Sequence, residues 1–211
     1  MYFSQLILDP RKAVIDGFYD AHQALWGLFS DSPERKRDFL YREMDPVTFL
    51  TVSARPPEDA TGAWRVRSKP YAPRLSKGDR LYVSLRVNAV VKRKGADGRQ
   101  DRFDVVQDAR MRLLAAKEPV PPRAELAQSE GLKWLEKHQE SWGLVFDPKG
   151  VNVTSYVQHR LWRYGSKAKV SALDMAGFAR VTAPEAVLRA LTLGVGPAKG
   201  FGCGLMLARR A

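Results

Sequence analysis

The sequence predicts an α+β fold of two tandem ferredoxin-like units, each a βαββαβ arrangement. Three observations predict it. The first ~85 residues read strand, helix, strand, strand, irregular segment, strand, which is one such unit with a degraded second helix. The C-terminal half also ends in strand, helix, strand. The long alternating strand–helix pairs of a doubly wound sheet are absent. The units divide as residues 1–88 and 89–211. No short repeat is legible, so any duplication is structural.

The elements follow in order. Tyr2 to Leu8 is a short apolar strand. Asp9-Pro10 starts a helix, with Asp as N-cap and Pro at the first helical position. That helix runs from Arg11 to Phe29, with Ile15, Phe18, His22, Leu25 and Phe29 on one stripe. Gly17 inside it costs about 1 kcal/mol relative to alanine. Phe39-Leu40-Tyr41 and Thr48 to Ser53 read as strands. Arg55 to Gly62 is a solvated, proline-bearing loop. Trp64 to Lys69 is a short strand, Tyr71 to Gly78 a connector, and Leu81 to Val87 a well-alternating strand.

Lys92 to Arg102 reads as basic and polar, with a turn at Asp97-Gly98, and Phe103 to Lys117 is ambiguous. Ala124 to Trp142 is helical and closed by Gly143. Leu144 to Phe146 is a strand. Val151 to Arg163 and Lys167 to Val181 form a hairpin, partly broken at Asp174. Pro184 starts the last helix, and Leu205 to Ala208 is the final strand.

The chain carries a formal charge of +12 over 211 residues, with a pI near 10.0. That excess favours a polyanionic partner, and aromatics interleaved with the basic residues favour nucleic acid over a membrane face. Cys203 is the single cysteine, which excludes an internal disulfide and a cysteine-based metal site. No run reaches the roughly 18 apolar residues of a membrane span, and the N-terminus lacks a signal peptide's apolar core. A cytoplasmic protein is the expectation.

The most unusual stretch is Gly194 to Gly204, with five glycines around Lys199. Dense glycine lets main-chain N–H groups approach an anion, and a lysine supplies charge. The order is wrong for a P-loop or dinucleotide fingerprint, because here the helix precedes the loop and presents its C-terminal end. The alternative is a tight helix-to-strand turn.

Three histidines remain. His138 sits among Glu136, Lys137 and Glu140 and reads as a surface residue. His159 lies on a strand beside Arg160, a position that suits packing and ligand contact equally. His22 shares a helix face with Tyr19 three residues earlier. Spacing alone leans toward a buried core histidine; the other reading is a general acid or base with a tyrosine partner. On the hairpin, Arg160 and Trp162 alternate with His159 and Arg163, and Lys167 and Lys169 share a face beyond the turn. Such a ribbon can straddle a phosphate backbone or enter a groove near an RNA helix end. Arg35-Lys36-Arg37, Lys92-Arg93-Lys94, Arg110 with Arg112, and Arg209-Arg210 widen the positive field. Metal chemistry is unsupported: there is no HExxH and no Cys/His cluster, and Asp101, Asp104 and Asp108 read as surface charges. No serine nucleophile elbow is present.

Three features carry a family resemblance. Tyr19-Asp20-Ala21-His22-Gln23-Ala24-Leu25-Trp26-Gly27-Leu28-Phe29 resembles the Tyr-x-x-His-x-x-Leu-Trp-x-Leu-Phe segment of CasE proteins, the CRISPR-associated endoribonucleases of type I-E systems. Gly194 to Gly204 resembles that family's glycine-rich signature, and Leu173 to Ala183 the strand feeding its last helix. Asn88-Ala89 stands where the family has Asn-Pro, a departure confined to a turn. The resemblance implies two ferredoxin-like domains and cleavage of precursor CRISPR RNA at the 3′ base of a repeat hairpin. It also implies retention of the product and assembly with other Cascade subunits, without cofactor or membrane. His22 and Tyr19 would be the catalytic pair. Arg160, Trp162, Arg163, Lys167, Lys169, Lys199, Gly196, Gly200 and Gly202 would hold RNA. The competing reading is a non-catalytic RNA-hairpin-binding subunit.

Overall fold

The computed structural model describes residues 1–15, 17–29, 34, 37–94, 98, 100–163 and 166–211, and for 18, 19, 160–163 and 166–168 the backbone alone. Alternation in the first apolar run makes β1 (Tyr2–Leu8) the centre of a sheet, burying Leu6 and Leu8 on one face. It pairs antiparallel with β3 (Thr48–Ser53) on one side and β4 (Trp64–Pro70) on the other. β2 (Phe39–Asp45) pairs with the far edge of β3, giving the order β2-β3-β1-β4. That is the strand order of a ferredoxin-like unit. Residues 54–63 replace its second helix with an irregular loop, as the sequence suggests. The Asp59 carboxylate holds this loop by accepting from the Thr61 and Trp64 main-chain N–H groups.

α1 (Gly17–Gly27) covers one face of this sheet, with Ala21 and Leu25 of the helix and Leu28 and Phe29 of the turn after it packed on Leu6, Phe39, Tyr41 and Phe49. The helix is shorter than the sequence implies. Asp9-Pro10 makes an isolated turn, in which the Asp9 carboxylate accepts the Arg11 main-chain N–H and pairs with the Arg11 guanidinium. Gly17 then has φ +86°, outside the helical region, so the helix starts only there.

The second sheet is built from β5 (Arg80–Val87), β8 (Leu144–Phe146), β9 (Asn152–Arg163), β10 (Ser166–Val181) and β11 (Met206–Arg210). (β6 and β7 are the hairpin Val90–Lys94 and Gln100–Asp104.) Its order is β11-β5-β10-β8, with β9 also on β10, again the ferredoxin-like order. The sequence division at residue 88 groups β5 with the first unit. Its hydrogen bonds place it between β11 and β10, so the change of sheet falls within residues 71–79. The reason is that both edges of β1 are already taken, while Leu81, Val83, Leu85 and Val87 bury into the second core.

α2 (Val105–Ala115), α3 (Arg123–Gln139) and α4 (Pro184–Leu193) cover that core. The stretch left open by sequence, 103–117, is therefore mostly helix. Asp104 starts it by accepting from the Val106 and Gln107 N–H groups, each at 2.9 Å. The basic stretch 92–102 belongs to the β6–β7 hairpin; Asp97 of its expected turn lies outside the described residues. The break expected at Asp174 is a bulge in the β9–β10 register between Asp174 and Met175. Leu40 and Val52 of the first sheet meet Leu205, just before β11, in an apolar seam. Among the described residues no helix is long and apolar enough to cross a membrane.

Candidate active site

The seam brings α1 against the glycine-rich loop. Gly194 ends α4 at φ +71°, and its N–H donates to the Ala190 carbonyl at 3.1 Å. The loop closes on itself where the Val195 N–H donates to the Gly204 carbonyl at 2.9 Å, and the Gly204 N–H anchors it to Arg86 O at 2.7 Å. Gly204 has φ +87°, and a Cβ there would stand 2.5 Å from the Val195 carbonyl oxygen. No other residue closes the loop this way. Between the anchors, Lys199–Phe201 forms one short 3-10 turn that meets α1 and β2.

His22 and Gly200 meet at this contact. A Cβ on Gly200 would lie 3.8 Å from His22 Cε1 and 3.0 Å from Arg37 Nη1, so its missing side chain is what lets the three groups converge. The Phe201 ring is 6.4 Å from the His22 ring, and Trp26 backs it at 5.8 Å. The Tyr41 hydroxyl donates to the Gly200 carbonyl at 3.1 Å and fixes the turn from below. His22 is half-buried, with Nδ1 shielded from solvent and outside ordinary hydrogen-bond geometry. Burial lowers its pKa, the Arg37 charge lowers it further, and the Gly200 main chain opposes both. The ring is therefore biased toward the neutral form.

Arg37→Gln removes the second of those causes. The His22 pKa, read from ring-proton NMR shifts in the free protein, is expected to rise toward 6.5. An unchanged or lower value would mean that Arg37 does not face the ring.

The structure gathers only part of the set expected from sequence. His22 and Gly200 are together. Tyr19 lies one turn before His22 on α1, but its side chain is outside the described residues, as are those of Arg160, Trp162, Arg163 and Lys167. The backbones of these last four lie in β9 and β10, with Trp162 opposite Lys167 and Arg160 opposite Lys169. Lys169 is exposed. Gly202 packs under Tyr41, where a Cβ would be 3.1 Å from Cε2. Gly196 is on the other side of the loop, over Trp134. Lys199 Nζ donates to the Leu193 carbonyl at 2.7 Å and neutralises the C-terminal end of α4. The repulsion that the helix end would exert on an anion is thereby reduced.

Sequence reasoning places Arg37 only in a generic basic run and gives Tyr41 no role. Nothing local marks either one; both matter because β2 runs beside the loop. His138 is also not a plain surface residue. Its ring stacks on Trp134 at 4.3 Å, and Nδ1 sits 2.7 Å from the Trp134 carbonyl. Trp134 and Trp142, four residues either side, were the available signal. Asp104 and Asp108 likewise have partners: Asp104 caps α2 and accepts from Tyr156, and Asp108 binds Arg93 and Arg112. No cluster of three or more potential metal ligands occurs among the described residues.

Known proteins resemble the chain along its whole length. The chain is 26% identical over 211 residues to the CRISPR system Cascade subunit CasE of Escherichia coli, covering 98% of each. It is 26% identical to the CRISPR-associated endoribonuclease Cse3 of Thermus thermophilus, again over 98% of each. Its fold superposes on Cse3 bound to a 19-nt RNA with TM-score 0.74 at 24% identity, covering 99% of this chain and 98% of that one. The match to Escherichia coli Cas6e has TM-score 0.65 at 22% identity, with 100% of each covered. A protein-family model described as CRISPR associated protein matches residues 1–210, and the chain belongs to that family.

Proposed function

We propose that the protein is a metal-independent endoribonuclease. It cuts precursor CRISPR RNA at the 3′ base of the repeat hairpin, retains the product, and works in the cytoplasm beside other Cascade subunits. The observation that carries this reading is His22, half-buried and biased neutral, facing Arg37 across Gly200. The relatives named CasE and Cse3 support it over the full length of the chain.

The chemistry needs a base, a charge to meet the phosphorane, and a held substrate. With Nδ1 buried against Gly200, Nε2 is the ring nitrogen left to take the proton of the 2′-hydroxyl. The 2′-oxygen attacks the adjacent phosphorus, the bond to the 5′-oxygen breaks, and that oxygen takes up a proton from water, giving a 2′,3′-cyclic phosphate and a 5′-hydroxyl. Arg37 stabilises the charge that develops on the phosphoryl oxygens. Tyr19, on the same face of α1, orients His22 or donates to the phosphate. The β9–β10 ribbon and Lys169 hold the stem.

Cleavage of a labelled repeat hairpin in EDTA tests this. The expected result is undiminished cutting, with one cyclic-phosphate end and one 5′-hydroxyl end. Activity abolished by EDTA and restored by a divalent cation overturns the mechanism.

A further inference from the structure

A second charged feature lies on the far side of the glycine loop. The β6–β7 hairpin, α2, α3 and Gly196-Pro197 enclose an open cleft of about 920 Å³. Lys92, Arg93, Arg102, Arg112, Lys133 and Lys137 line it, against the two carboxylates Asp108 and Glu130. Both carboxylates are already engaged. Asp108 takes Arg93 at 2.6 Å and Arg112 at 3.0 Å, and Glu130 takes Lys133 at 2.6 Å. These pairs hold the two arginines in place and leave Lys92, Arg102 and Lys137 without an ion pair among the described residues.

The hairpin register makes the cleft's preference sharper. Lys92 stands directly opposite Arg102 across β6 and β7. Like charges in directly opposed positions destabilise a strand pair, and an anion lying over both relieves that repulsion. The adjacent pair, Arg93 opposite Asp101, is of opposite sign, so the strain is confined to the pair that lines the cleft.

The cleft lies one loop away from the candidate active site. Gly196 and Gly200 belong to one loop, and four Cα–Cα links of about 3.8 Å set their separation at no more than about 15 Å. Gly200 touches His22, and Gly196 lines the cleft. A strand leaving the base of a hairpin held at His22 can cross the loop into the cleft within a few nucleotides.

We propose that this cleft binds the single-stranded RNA that flanks the hairpin, through its phosphates, as a subsite separate from the one that holds the stem. The inference rests on the endoribonuclease reading for the hairpin's location. Lys92, Arg102 and Lys137 are its contacts, and the Asp108-fixed arginines its wall. The flank enters either upstream or downstream of the stem; the chemistry is the same and the test separates the two.

The test uses the triple variant Lys92→Gln, Arg102→Gln, Lys137→Gln, whose three positions are all exposed, so the core is untouched. Binding is measured for the bare hairpin, the hairpin with a 5′ oligouridine flank and the hairpin with a 3′ flank, over a salt series. For the wild type, one flank tightens binding by about ten-fold or more at low salt. The variant loses that increment, binds the bare hairpin as the wild type does, and shows a log–log salt slope on the flanked RNA shallower by about 2, at about 0.7 per single-strand phosphate. A flank increment kept in full by the variant, or absent from the wild type, overturns the proposal. So does a variant that keeps the increment but no longer joins the other protein subunits, which would make the cleft a protein interface. Cutting of the bare hairpin, followed in parallel, reports on the endoribonuclease reading independently: its loss in the wild type sinks that reading and not merely the subsite.

Discussion

His22→Ala is expected to bind the repeat hairpin as tightly as the wild type and to cut it about 10²- to 10⁴-fold more slowly, the usual contribution of a positioned general base. The two effects separate because affinity comes from many cations spread over a chain of net charge +12, whereas the proton has one acceptor. Single-turnover cleavage and filter binding on the same RNA measure both. Parallel loss of binding and cutting would make His22 a packing residue between α1 and the loop. Wild-type cutting by the variant would return His22 to the core and put the base elsewhere, whereas binding without cutting by both proteins would leave a hairpin-binding subunit. The pH profile carries the same information with a definite sign. Burial and Arg37 lower the His22 pKa below the ordinary histidine value, so in the free protein the neutral ring predominates near neutral pH and a base is available there. The rate then falls only as pH drops through the lowered pKa. A general acid would show the opposite limb, with activity declining as pH rises.

The parts of this site that are legible in sequence are those set by local pattern. The run Tyr19 to Phe29 and the spacing of glycines around Lys199 are contiguous, and each says something about its own backbone. Strand positions are legible for the same reason: alternation at Leu81 to Val87 marks a half-buried strand wherever it pairs. What alternation does not encode is the partner. Thus β5 pairs in the second sheet and not the first, although its own pattern is plain. Arg37 and Tyr41 escape notice because their importance lies in what β2 passes, 159 residues away in sequence for the Tyr41–Gly200 bond. The loop itself is half legible. Its glycines are required, but Lys199 serves the end of α4 that precedes it. The start of α1 differs from expectation because a good N-cap dipeptide competes with a glycine several residues further on, and the φ of Gly17 decides the outcome.

The site spans two sheets, so its geometry depends on how they are held, and this leads to the largest expected stability effect. Asp174→Ala is expected to destabilise the fold by about 3 kcal/mol, the low end of the range for breaking a buried ion pair. Asp174 sits on β10 opposite Arg86 of β5, which grips it at 2.8 and 3.0 Å. Arg42, from β2 of the other sheet, reaches across the seam to the same carboxylate at 3.4 Å and to Ser84 at 2.9 Å. Burial lowers the Arg42 pKa while Asp174 opposes it, so the carboxylate offsets the cost of burying a guanidinium that stays charged. Without it two cations face each other in a seam where their side chains retain only 10% and 21% exposure, and that residual exposure is why the low end of the range applies. Denaturant unfolding of the wild type, Asp174→Ala and Asp174→Asn measures the effect, with Asn intermediate because it keeps one acceptor and loses the charge. A loss below about 1 kcal/mol for Ala would place the cluster with solvated surface pairs. The cleavage rate should fall along the same series, with the repeat hairpin still bound by the folded fraction. His22, Arg37 and Tyr41 belong to one sheet's unit and Gly200 to the other's, and a seam freed of its ionic clamp no longer fixes the distance between them.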